Sequence, residues 1–239
     1  MRVLVIPDIH LKPWMFEDAE VIMRSGYAER AVCLMDIPDA WKQEYNLDLY
    51  RETFEAAFSF QKAFPDTLWC YGNHDLSYLW RQPESGYSPS AAGLVCEELK
   101  NLREMLPDDS QLAYIHRIDN VLFLHGGLTE PFVNYYVDKD EREDTDTVIA
   151  RINSMGNHEI WDEASPVWFR PQFYYEKMYR QEELLQVVGH TPVQKISRDG
   201  SVVSCDVFST YRDGSPIGTQ EFLRIDTVTR ELKGLSVNL

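Results

Sequence analysis

Gly72-Asn73-His74-Asp75-Leu76 follows directly on the apolar run Thr67-Leu68-Trp69-Cys70-Tyr71. The run has strand length and predicts a buried β-strand. A glycine at a strand end lets the chain turn sharply. Asn73 and His74 are then expected in a loop at the carboxyl end of the strand, where open α/β sheets hold their ligands. Asn offers a neutral oxygen for a metal or a donor for a phosphate, and His a titratable nitrogen.

The same grammar recurs four more times. A β-branched run at 2–6 ends in Pro7-Asp8-Ile9-His10. Residues two apart at a strand end point the same way, so Asp8 and His10 can reach one ion. The run at 31–35 leads into Asp36-Ile37-Pro38-Asp39, that at 120–124 into His125-Gly126-Gly127, and that at 184–188 into Gly189-His190-Thr191. Five predicted strands thus deliver carboxylate, imidazole or amide at the same end.

Helices are expected between the first three strands. One covers 16–30, and a second covers 47–64 with an apolar stripe through Leu47, Tyr50, Phe54, Ala57 and Phe58 and a stop at Pro65. A third is expected over 91–106. The resulting β-α-β-α-β run implies parallel strands. The later chain changes character. Residues 138–146 read as a solvated charged loop, 148–154 as a short helix, and 161–179 as an aromatic-rich stretch with Pro166 and Pro171. Strands at 201–208, 221–225 and 231–237 form a C-terminal meander expected to extend a second sheet. No repeat or linker interrupts the chain. It reads as a single domain over 1–239, with a cap or insert near 128–180.

Composition limits the partners. The formal charge of −16 argues against nucleic acid and against an anionic membrane surface, both of which need Lys and Arg. A small phosphorylated substrate stays open, because bound cations reverse the local field. Cys33, Cys70, Cys96 and Cys205 form no paired motif and read as reduced thiols. With a strand predicted from residue 2, no room is left for a signal peptide, and no apolar stretch approaches membrane-spanning length. A cytoplasmic location is the expectation.

Asp8, His10, Asp36, Asn73, His125 and His190 form a mixed oxygen and nitrogen donor set without thiolates. That set suits first-row ions, manganese first, with iron, zinc or nickel as the other candidates. Six protein ligands are too many for one catalytic ion, which needs open positions. They fit two divalent ions about 3.5–4 Å apart, sharing a carboxylate. Such a pair clamps a phosphoryl group and lowers the pKa of a bridging water, giving hydroxide at neutral pH.

In this order the five motifs resemble the calcineurin-like metallophosphoesterases. Within them the chain is similar to the phosphoprotein phosphatase branch, which includes bacterial serine/threonine phosphatases and symmetrical diadenosine tetraphosphate hydrolases. The single-His ending Gly189-His190-Thr191-Pro192 carries that assignment, since many diesterases end in GHxH. The resemblance implies a four-layer αββα sandwich of two mixed sheets flanked by helices. It also implies roles: Asp8 and His10 at a first metal, Asp36 bridging, Asn73, His125 and His190 at the second. By the same resemblance His74 would protonate the leaving oxygen, oriented by Asp39. A carboxylate partner favours the imidazolium that a general acid must be.

The chain also departs from the pattern. Met35 stands where family members carry Gly, Ala40-Trp41 where they carry Arg-Gly, and Tyr71 where protein phosphatases carry Arg. Two phosphate-gripping arginines are therefore absent. Arg170, in Ser165-Pro166-Val167-Trp168-Phe169-Arg170-Pro171, is the candidate replacement for substrate binding, alongside Asn73. Gly156-Asn157-His158-Glu159 copies the central motif but lacks a preceding strand, and reads as a helix end capped near Gly156. His116, in a predicted strand beside Arg117, reads as structural. The expected function is phosphoester hydrolysis, on a small phosphorylated substrate or a phosphoprotein. A dinucleoside polyphosphate hydrolase is the alternative enzyme, and a non-catalytic binding scaffold the alternative of another class.

Overall fold

Alternation along the first strand decides the layering. Val3 and Val5 point one way, Leu4 and Ile6 the other, and all four are fully buried. A strand buried on both faces needs a layer on each side, and a computed structural model, which describes residues 1–237, supplies both.

One sheet contains β1 (Arg2–Ile6), β2 (Arg30–Cys33), β3 (Leu68–Cys70) and β4 (Leu112–Ala113), all parallel. The second contains β5 (Ile115–Ile118), β6 (Val121–Leu124), β7 (Leu185–Val188), β8 (Ser197–Asp199) and β9 (Val202–Ser204). There β6, β7 and β9 are parallel, while β5 and β8 run antiparallel at the edges. Two further strands, β10 (Phe222–Asp226) and β11 (Leu232–Leu235), complete the first sheet in the order β11-β10-β1-β2-β3-β4.

The sheets pack face to face through Val3, Val5, Val32 and Leu34 on one side and Val121, Phe123, Leu185 and Val187 on the other. The outer face of the first sheet takes α1 (Trp14–Arg24), α2 (Leu47–Ala63) and, after α3 (Asn73–Trp80), α4 (Ala92–Met105). Phe16, Phe54, Phe60 and Val95 fill that layer with Leu4 and Ile6. The outer face of the second sheet takes α5 (Glu130–Tyr136), α6 (Thr145–Asn153) and α7 (Asn157–Ile160), through Phe132, Val148, Ile152 and Ile160 against Leu122 and Leu124. This is the four-layer αββα sandwich. Each Val, Leu or Phe so buried contributes roughly 1.5–3 kcal/mol.

The parallel registers bring the strand ends level. Ile6 pairs with Cys33 and Cys33 with Trp69 in the first sheet, and Leu124 with Val188 in the second. The five loops that follow these strands therefore leave from one edge of the sandwich.

Several local expectations need correction. The first helix ends at Arg24, because Gly26 adopts φ 76 and the chain turns towards β2. Asn73 and His74 open α3 instead of lying in a loop: Gly72 caps it, and the Asp75 carboxylate accepts the Gly72 N–H at 2.9 Å. The copy at Gly156 likewise starts a helix and does not end one, with Glu159 accepting the Gly156 N–H at 3.1 Å. The two motifs share a local code, a capping box, and differ in what surrounds them. The C-terminal meander is also split. Of its three expected strands only the first, shortened to β9, joins the second sheet, while β10 pairs antiparallel with β1, Val3 opposite Ile225. Leu223 and Ile225 enter the inter-sheet core and Phe222 the helix-side core, so β10 requires a position covered on both faces. The four cysteines are free, and no helix among the described residues is long and apolar enough to cross a membrane.

Candidate metal centre and active site

The loops at the shared edge hold a cluster of left-handed, non-glycine residues. His10 (φ 44), Leu11 (54), Met35 (54), Asp36 (44), Asp39 (68) and His190 (60) all belong to it. Such conformations cost of order 1–3 kcal/mol each and persist only where the surroundings impose them. Here the two loops hold each other: Ile9, His10 and Leu11 donate to the carbonyls of Met35, Asp36 and Ile37 at 2.8–3.0 Å. Met35, in the place of the family glycine, takes up the left-handed conformation itself and is fully buried.

Two donor sets form at this edge. Asp8, His10 and Asp36 make one, and Asp36, His125 and His190 the other; within each set the donor atoms lie within 4.8 Å of one another. Asp36 belongs to both. Its Oδ2 lies 3.1 Å from His125 Nε2 and 3.9 Å from His10 Nε2. Asn73 Oδ1 is 3.2 Å from His125 Nε2, so all six sequence-selected residues come together. The second ring nitrogens are spoken for: His125 Nδ1 lies 2.9 Å from the Leu34 carbonyl and His10 Nδ1 3.0 Å from that of Asp39. Such partners fix the ring a metal ligand presents. Close backbone approach matters here as well. A side chain at Gly72 would collide with the Asp36 carboxylate, and one at Gly189 with that of Asp8.

These residues fit divalent ions. Asp8 Oδ1 and His190 Nε2 are buried and accept or donate no hydrogen bond, a costly condition without a partner. Burial, reinforced by Asp206, pushes the Asp8 carboxyl well above the usual range. Burial would raise Asp36 too, but His125, His74 and His10 outweigh it and hold Asp36 well below that range. Burial opposes the charge on His125, yet Asp36 and Asp8 raise its pKa to about 9. The positive charge these carboxylates draw from His125 is what an ion would provide. Burial lowers His10 to about 3 and His190 well below its ordinary value, leaving both as the neutral imidazoles a metal requires.

His74 stands beside the donor sets. Its Nδ1 lies 2.9 Å from Asp39 Oδ2, and its backbone N–H donates to Asp36 Oδ1 at 2.9 Å. Asp39 Oδ1 accepts the hydroxyls of Tyr50 at 2.9 Å and Tyr78 at 2.5 Å. Burial works against a charged His74, but Asp36 and then Asp39 raise its pKa to about 9. Both carboxylates thus favour the protonated form of His74.

Arg170 arrives from the aromatic segment. Gly126 and Gly127 donate to the carbonyls of Pro166 and Phe169 at 2.8 and 2.9 Å, pinning that segment across the loop that holds His125. Arg170 Nη1 donates to the His190 carbonyl at 2.7 Å and to Thr191 Oγ1 at 3.2 Å. It lines a cavity of about 360 Å³ with His10, His74 and His190.

Sequence reasoning missed three supporting residues. Asp75 accepts the N–H groups of Asp36, Ile37 and Gly72. Asp206 and Lys12 lie buried behind Asp8, with Lys12 Nζ donating to the carbonyls of Ile9 and His10 at 3.2 and 3.4 Å. Asp206 follows β9 as Asp8 follows β1, and reading 201–208 as one strand hid it. Of the sequence decoys, His158 is exposed on α7, and His116 Nε2 is bound to the Trp69 carbonyl at 3.0 Å.

The family model for calcineurin-like phosphoesterases matches residues 1–211. The chain belongs to this family. Among solved structures it is similar to the cold-active protein-tyrosine phosphatase of a psychrophile, Shewanella sp., at TM-score 0.54 and 14% identity, covering 98% of this chain and 80% of that one. It is also similar to a hypothetical protein from Pyrococcus horikoshii OT3, at TM-score 0.50 and 17% identity, covering 99% and 87%. At these identities the likeness concerns the fold. A comparison with curated proteins returns no match. Family membership makes the chain a metal-dependent phosphoester hydrolase in class.

Proposed function

We propose that this calcineurin-like phosphoesterase hydrolyses a phosphoester at two divalent ions, with His74 as general acid. The observation that carries the reading is the pair of donor sets sharing Asp36, with the His74–Asp39 pair alongside. Asp8 and His10 would hold one ion, Asn73, His125 and His190 the other, and Asp36 both. When bound, the ions supply Lewis acidity towards phosphoryl oxygens and lower the pKa of water.

The chain's own residues do the rest. Asp39, fixed by two tyrosine hydroxyls, holds the His74 ring through Nδ1 and, with Asp36, favours its protonated form. Nε2 is then the atom that gives a proton to the departing oxygen, so that the alcohol leaves neutral. Arg170 supplies a planar fork for a phosphoryl oxygen, from a position where its guanidinium already faces the Gly189-His190-Thr191 loop. Manganese is the ion we favour, supported by the absence of thiolates from the donor set. The single-His ending after β7 supports placing the protein in the phosphoprotein phosphatase branch, and four free cysteines support a reducing, cytoplasmic setting.

Turnover of aryl phosphate, aryl diester, dinucleoside polyphosphates and phosphopeptides, each with Mn, Fe, Zn, Ni and Mg, tests the reading. Turnover of at least one of these esters that requires metal and disappears in Asp36→Asn is the expected result. Metal-independent turnover, or none with any ion, contradicts it.

A further inference from the structure

Beyond the metal centre the cavity continues along residues that no role above uses. Trp41 follows directly on Asp39-Ala40, and its indole N–H donates to the Thr210 carbonyl at 3.0 Å. This bond ties the loop after β2 to a turn that lines the same cavity. The turn is internally built. Tyr211 N–H donates to the Ser215 carbonyl at 2.9 Å, Gly214 N–H to that of Tyr211 at 2.9 Å, and Asp213 accepts both the N–H and the hydroxyl of Ser215. At its tip Arg212 lays its guanidinium over the Trp41 ring, 5.0 Å from the centroid.

Arg212 differs from Arg170 in one respect. The Arg170 guanidinium is engaged with His190 and Thr191. That of Arg212 makes no hydrogen bond or ion pair among the described residues: no carboxylate oxygen lies within 4.0 Å of it. Its donors are held in place by the indole and point to no protein acceptor. The two arginines are the lysine-or-arginine cations that line this cavity, and only Arg170 is bonded to the loop that carries a metal-site histidine. The protein carries a net charge of −16, so its general field repels anions and a fixed cation at this spot is a specific feature. The cavity, at about 360 Å³, has the size of a small-ligand pocket.

We propose that Trp41 and Arg212 form a leaving-group subsite that binds a second phosphoryl group, so that the preferred substrates are phosphoesters with two phosphates. The proposal rests on the phosphoesterase reading and narrows its substrate class. The scissile phosphoryl sits at the metal centre and the alcohol leaves with its own phosphate on Arg212. Trp41 serves as the platform that presents the guanidinium edge-on to the anion, a geometry Lys cannot copy.

Alkanediol bisphosphates of increasing length, each matched with the alkyl monophosphate of equal length, test this. In the metal-loaded wild-type protein one chain length is expected to show about a 10-fold or greater preference for the bisphosphate, through KM and not kcat. Arg212→Met should abolish that preference and leave monophosphate kinetics unchanged. Trp41→Ala should reduce it, and Trp41→Phe should retain most of it. Both positions are exposed, so folding is not at stake. Equal kinetics for the two substrate classes in the wild type, or a preference that survives Arg212→Met, overturns the subsite. Calorimetric binding of the same compounds supplies an arm independent of turnover. If neither class is hydrolysed but bisphosphate binding still depends on Arg212, the esterase reading fails and the subsite stands. Binding indifferent to Arg212 removes the subsite.

Discussion

Asp75 accepts the backbone N–H of Asp36 at 2.9 Å, across 39 residues of sequence. Through this bond the last polar residue of the Gly72-Asn73-His74-Asp75 motif holds the shared carboxylate's backbone in its left-handed conformation. The same carboxylate closes the capping box of α3 on Gly72 and accepts Ile37 N–H at 3.1 Å. One buried side chain thus locks the strand ends of β2 and β3 to each other, and with them Asp36, Asn73 and His74.

Asp75→Ala leaves three buried N–H groups without an acceptor. At roughly 1–3 kcal/mol for each unsatisfied group, the loss of stability is expected to be at least about 3 kcal/mol, and metal content should fall with it. Urea denaturation and elemental analysis of the purified variant check both. Full metal occupancy in a protein of wild-type stability would show that the Asp36 loop needs no such lock.

His74→Asn should retain metal and lose about 100- to 10,000-fold in turnover, the usual range for general acid catalysis. The loss should shrink for nitrophenolate, which leaves without a proton, and remain large for alkyl leaving groups. A Brønsted series over leaving-group pKa measures this. Parallel plots for the two proteins would give His74 another task.

Arg170→Ala is expected to lower kcat/KM by about 2–4 kcal/mol of transition-state stabilisation, with Arg170→Lys recovering little. Metal content separates two roles for this side chain. If it stays at the wild-type level, Arg170 acts on the phosphoryl group. If it falls with activity, the bond to the His190 carbonyl is its main contribution.

His116 offers a test of stability away from the site. Burial lowers its pKa to about 4 from an ordinary 6.5. The unfolded chain therefore binds the proton more readily than the folded one. The stability is fully present above pH 6.5 and is lost as pH falls from there towards 4. The loss should reach roughly 2 kcal/mol by pH 5. His116→Gln, which can still donate to the Trp69 carbonyl, should remove that part of the acid sensitivity. An unchanged difference between the two proteins from pH 7.5 to pH 5 would contradict a buried neutral ring.

What the sequence made legible follows from how local each signal is. Strands β1, β2, β3, β6 and β7 announce themselves by short apolar runs, and the residues just beyond them carry the site. The shared edge needed only the inference that these strands run parallel. Helix boundaries were less visible. The turn at Gly26 is one glycine in a polar stretch, and α5 hides behind Pro131 at its first turn. The placement of β10 depended on a partner more than 200 residues away, so no local pattern could assign it to the first sheet. Asp75 was quoted as part of a motif without a role, because its three acceptor bonds exist only once two loops meet. The pairing of Trp41 with Arg212 was invisible for the same reason: they touch across 171 residues of chain.

The central claim is two ions on one carboxylate, and anomalous diffraction from crystals of the manganese-loaded protein measures it directly. Two manganese peaks about 3.5–4 Å apart are predicted, with Asp36 bound to both, Asp8 and His10 on one side, and Asn73, His125 and His190 on the other. A single ion, or ions held at His158 or elsewhere away from Asp36, would contradict the account.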